Sequence, residues 1–108
     1  MTGSGKLDRI HHVAVPCDDL EEALRWYTSR FRCRVAYRDA TWALLRFENA
    51  SLALVTRGEH PAHFGIEGPA PEGFGAVRVH RDGVSYVYLT DPGGNVVEVC
   101  EGPSREGG

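Results

Sequence analysis

The chain repeats itself. HHVAVP at 11–16 is answered by AHFGIE at 62–67, and TWALLRFENASLALV at 41–55 lies over YVYLTDPGGNVVEVC at 86–100. In 108 residues this leaves room for one domain built from two like half-length modules. The first module reads as strand, helix, strand, strand, strand. Its helix is marked by apolar residues at helical spacing, Leu20, Ala23, Leu24, Tyr27 and Phe31, with Asp18 as N-cap and Glu21 three residues on. In the second module the corresponding stretch is GPAPEGFG at 68–75, where Gly and Pro forbid a useful helix. The predicted fold class is α+β, two βαβββ-type modules with the second lacking most of its helix. Module one spans 8–56 and module two 62–102 of a single domain at 8–102, with flexible tails at 1–7 and 103–108.

The repeat also aligns chemistry. His12 corresponds to His63 at the head of each module, and Glu98 lies in the closing strand. Two imidazoles and a carboxylate make the ligand set of an open mononuclear metal site. Side-chain alternation selects among the residues. On the first strand Ile10, His12 and Ala14 share a face, while His11, Val13 and Val15 share the other. Correspondence with His63 favours His12, and His11 replaces it if the strand is bulged.

The last hairpin turns at Asp91-Pro92-Gly93-Gly94, so Tyr88 is expected opposite Glu98, on a face with Tyr86, Thr90, Val96 and Cys100. The other face, Val87, Leu89, Val97 and Val99, is uniformly aliphatic and marks a helix-packed core side. A bulge near Asn95 would shift this register. Tyr88 is a candidate catalytic hydrogen-bonding group beside Glu98. His60, in the linker RGEHPA at 57–62, is a candidate auxiliary base or substitute ligand, although its loop position favours the surface. Trp26 and Trp42 are assigned to core packing, and Arg30, Arg32, Arg34 and Arg38 to a solvated face.

Several classes of function are excluded by composition. A net charge of -3 and a pI near 5.9 give no basis for binding nucleic acid or an anionic membrane. No apolar run approaches the roughly 20 residues of a membrane span, and the polar start at Met1–Lys6 does not read as a secretory signal. Cys17, Cys33 and Cys100 form no Cys-x-x-Cys pair, so they are expected as reduced thiols of a cytoplasmic protein.

IHHVAV at 10–15, DDLEEALRWYTSRF at 18–31 and DGVSYVYLTDPGGNVVEV at 82–99 together resemble the vicinal oxygen chelate superfamily, the group of glyoxalase I, extradiol dioxygenases and bleomycin-resistance proteins. The resemblance runs through nearly all of residues 8–102. It implies a curled, mostly antiparallel, glyoxalase-like sheet around an open cup, with His12, His63 and Glu98 at ligand positions for one divalent ion (Fe, Mn, Ni, Zn or Co). The position of a fourth ligand falls on Ala53, which opens the metal further. The implied function is a metal-dependent lyase, isomerase or dioxygenase acting on a small vicinal-oxygen substrate, in a homodimer that covers open sheet edges. The alternatives are a non-catalytic, antibiotic-sequestering protein of the same fold and a regulatory module with a vestigial site. The retained ligand residues count against sequestration.

Overall fold

The computed structural model describes residues 7–68, 70–75, 77–79 and 85–100. The tails expected at 1–7 and 103–108 lie, except for Leu7, outside the described residues, as does the 80–82 part of the expected strand VRVHRD at 77–82. Eight strands and one α-helix follow in the order β1 (Arg9–Cys17), α1 (Leu20–Arg30), β2 (Arg34–Arg38), β3 (Trp42–Arg46), β4 (Ser51–Thr56), β5 (His63–Glu67), β6 (Arg78–Val79), β7 (Ser85–Thr90) and β8 (Val96–Cys100). They hydrogen-bond in the order β2-β3-β4-β1-β5-β8-β7-β6. The sheet is mixed. β2-β3, β3-β4, β6-β7 and β7-β8 are antiparallel, while β1-β4 and β5-β8 are parallel. The α+β class and the loss of the second helix are as expected.

Residues 12–63 form one compact unit. Its strands alternate cleanly. Ala43, Leu45 and Leu54 face α1 and bury Leu20 and Leu24 against them, with Val15, Cys17 and Leu52 at the margin. Each fully buried leucine contributes about 1.5–3 kcal/mol through the apolar surface it removes from water. The opposite face carries a second cluster of Ala14, Ala53 and Val55, edged by Trp42 and Leu44.

α1 begins one residue later than its capping box predicts. Asp19 is the N-cap, with its Oδ1 accepting from the Glu22 amide at 3.1 Å. Asp18 instead accepts from Arg57 Nε at 2.8 Å. Both aspartates have capping chemistry, and the ion pair with a residue 39 positions away decides between them. Trp26 is not core. It stands 45% exposed on the last turns of α1, with the Arg30 guanidinium 4.5 Å above its ring. Strand β1 also runs one residue past Pro16, because the chain there is a parallel strand paired with Val55 rather than the start of a turn.

The other unit comprises the described residues of 1–11 and 64–108. Where the repeat expects a helix, a 3₁₀ turn at Pro71–Phe74 packs on β7, and no α-helix occurs among the described residues of this unit. Within this unit, therefore, no α-helix among the described residues covers the aliphatic row of the last hairpin. Val87 and Val99 are buried on it, but Glu98 and Cys100 on the opposite face are equally buried, so this end of the sheet is enclosed on both sides. The hairpin register holds without a bulge, and Tyr88 pairs with Glu98. Asp91 fixes the turn. Its Oδ1 accepts from the amides of Gly93 (2.9 Å) and Asn95 (2.8 Å), and these bonds hold its carboxyl below the ordinary aspartate range.

Candidate metal centre

His12 and His63 are brought together within the unit of residues 12–63. His12 lies on β1 beside Ser51 of β4, on the face opposite α1, and is 8% exposed. Its parity with buried Ala14 is the alternation expected from the sequence, while His11 is half-buried on the other parity. The linker at 57–62 ends at His63, whose ring meets His12 edge to face with centroids 5.2 Å apart. The two Nε2 atoms are 3.1 Å apart.

The proton positions follow from the partners. His63 Nδ1 lies 2.8 Å from the carbonyl oxygen of Pro61, which can only accept, so Nδ1 carries the hydrogen. In the neutral ring the His63 Nε2 then presents its lone pair, and His12 Nε2–H donates to it. A backbone carbonyl that fixes the distal nitrogen is the usual support of a metal-binding imidazole. The separation also fits. Two nitrogens bound at about 2.05 Å in tetrahedral or octahedral cis positions stand about 2.9–3.4 Å apart.

Ala53, at the fourth-ligand position, is 3% exposed and sits among Ala14, Val55, Trp42 and Leu44. That position supplies hydrocarbon and no donor.

Glu98 belongs to the other unit. It is 2% exposed, one of the most enclosed large side chains of the molecule. Its strand runs parallel to β5, with Glu98 beside Gly65. Across the hairpin stands Tyr88, half-buried and edge to face with Tyr86 at 5.2 Å. Burial, and then the negative charge of Glu98, push the Tyr88 hydroxyl far above the ordinary tyrosine value. Tyr88 is therefore a proton holder and hydrogen-bond donor, not a base.

His60 is not the exposed loop histidine its position implies. It is half-buried, with Nε2 3.1 Å from Thr41 Oγ1 and its ring 6.5 Å from that of Trp42. Thr41 in turn reaches Asp39, a residue the sequence reading passed over. Asp-Ala-Thr between two strand patterns is a turn signal that marks the place, though not its link to His60. A second buried acid was also missed. Glu67, 3% exposed, pairs with Arg9 at 3.0 Å, and its even spacing from His63 was the available sign.

No family model and no curated protein matches the sequence. Solved structures do. A methylmalonyl-CoA epimerase variant from Streptomyces coelicolor, in complex with 2-nitronate-propionyl-CoA, superposes with a TM-score of 0.75 at 16% identity, over 89% of this chain and 95% of that one. The hypothetical protein BH1468 from Bacillus halodurans C-125 gives 0.74 at 14% identity, over 90% and 96% of the chains. A glyoxalase/bleomycin resistance protein/dioxygenase superfamily member from Vibrio splendidus 12B01 gives 0.66 at 13% identity, over 89% and 100%. At these identities the likeness establishes the fold and not the reaction. The chain shares the glyoxalase-like fold of these structures.

Proposed function

We propose that this protein is a metal-dependent enzyme acting on a small substrate with adjacent oxygen atoms, and that His12, His63 and Glu98 are its metal ligands. The observation that carries this reading is the approach of the two imidazoles. Their Nε2 atoms stand at ligand-to-ligand distance on the unit's helix-free face, with the His63 tautomer already set for coordination. The buried Glu98 carboxylate supplies the negative charge that a divalent ion needs, on the strand neighbouring the one that His63 begins. Two imidazoles and a carboxylate suit a first-row divalent ion and leave coordination positions open. When bound, the ion would supply Lewis-acid stabilisation of negative charge on substrate oxygen.

The chain's own residues do the rest. His63 is oriented by Pro61, and His12 would offer its Nε2 lone pair to the ion in the neutral tautomer that carries its proton on Nδ1. Tyr88, held protonated by burial and by Glu98, donates a hydrogen bond to a substrate oxygen. Ala53 withholds a fourth protein ligand. A homodimer belongs to this reading, since β2 and β6 end the strand order among the described residues, and edge strands invite pairing.

Metal content of the purified, metal-loaded protein tests the assignment. One ion per chain is expected in the wild type, and its loss in each of His12→Ala, His63→Ala and Glu98→Gln. A folded wild type that takes up no divalent ion, or variants that retain it, would overturn the reading.

A further inference from the structure

The linker that delivers His63 is clamped to the β2-β3 turn by a hydrogen-bonded chain with a fixed direction. Asp39 is the anchor. Its Oδ1 accepts from the amides of Thr41 (2.9 Å) and Trp42 (3.1 Å) and from Thr41 Oγ1 (3.2 Å), and its Oδ2 accepts from the Tyr37 hydroxyl at 2.8 Å. A carboxylate satisfied this way is rigid, and each bond is charge-assisted. Thr41 has one hydroxyl proton, and Asp39 takes it. Thr41 Oγ1 must therefore accept from His60 Nε2–H, 3.1 Å away.

The same strand end holds the linker's other extremity. Thr56 donates to the Thr41 carbonyl through both its amide (2.9 Å) and its hydroxyl, and the Arg57 amide donates to the Cys17 carbonyl at 2.8 Å. From His60 the constraint passes along a stiff path. Pro61 has a fixed φ and holds the residue before it to extended backbone. Its carbonyl then takes the Nδ1 proton of His63.

We propose that His60 is a positioning residue that acts through Pro61 to hold His63 in its ligating tautomer and orientation, with Asp39 and Thr41 fixing His60 in turn. This rests on His63 being a metal ligand, but its effect on the His63 ring is a property of the metal-free protein as well. His60 is accordingly a support of the centre and not an auxiliary base.

Two measurements on the full chain test this. In the metal-free protein, nitrogen NMR of the imidazoles should show His63 as a single Nδ1–H tautomer in the wild type and a mixture in His60→Ala and Thr41→Val. His60→Gln, whose amide can donate to Thr41 in place of Nε2–H, should restore the single tautomer. In cobalt(II) titrations followed by d–d absorption, His60→Ala should bind about 10- to 100-fold more weakly than wild type, the cost typical of losing a support to a ligand. The double variant His60→Ala/Thr41→Val should be no weaker than either single variant, because both cut one chain. An unchanged His63 tautomer in a folded His60→Ala protein would overturn the inference whether or not metal binds. A wild type that shows the tautomer effect yet binds no cobalt would sink the metal reading alone.

Discussion

At the scale of single residues, burial and charge decide what Tyr88 and Glu98 can do. A tyrosine whose hydroxyl is raised above its ordinary value of 10.0 favours the folded state only while the unfolded chain is also protonated. Its contribution is complete below pH 10 and is lost as pH rises toward the folded value. Denaturant midpoints measured across the alkaline range should therefore fall more steeply in the wild type than in Tyr88→Phe. Gly94 has φ 90°, and a side chain there would meet no atom within 4 Å. The cost of Gly94→Ala is backbone strain alone, about 1 kcal/mol, readable as a shift in thermal midpoint. The pairing of Tyr88 with Glu98 and the burial of His12 on the face of Ala14 were both legible in the sequence, because strand alternation is a two-residue period. The turn at Asp39 and the bond from His60 to Thr41 were not. They depend on which loops meet, and no local pattern records that.

At the scale of elements, α1 and its seat on β3 and β4 are the most predictable part of the molecule. Heptad-like spacing of Leu20, Leu24 and Tyr27 identifies the buried stripe, and alternation of Ala43, Leu45 and Leu54 identifies its floor. Leu54→Ala, at 1% exposure, should cost about 2–5 kcal/mol by emptying that seat. Capping was harder to read. Adjacent aspartates offer the same chemistry, and the distant Arg57 takes one of them. Asp19→Ala should lower stability by about 1 kcal/mol, while Asp18→Ala, which removes only an exposed ion pair, should change it by no more than about 0.5 kcal/mol. Paired urea titrations decide between the two caps. The second module's aliphatic row misled for a related reason. Such a row says that something covers it, and the Gly- and Pro-rich stretch allows only a 3₁₀ turn to do so.

At the scale of the whole molecule, the internal repeat was the strongest statement in the sequence, and the strand order follows from it. Low identity to structures of the same fold is consistent with a scaffold specified by alternation and turn chemistry more than by particular residues. Function is less transferable, because the donors sit at three isolated positions on that scaffold. If those donors hold an ion, divalent metal should stabilise the fold by mass action, by about 2.7 kcal/mol when free metal is 100 times its dissociation constant, and so raise the thermal midpoint. The shift should vanish in His12→Ala, and calorimetry with and without metal measures it.

His12 and His63 are the first and last residues of their compact unit. An ion gripped by both would tie the two ends of the folded segment together, and local opening of either end would first have to release it. Metal would then act as a fastener for this half of the protein. Its removal should therefore show as faster amide exchange throughout residues 12–63 as well as in the loss of turnover.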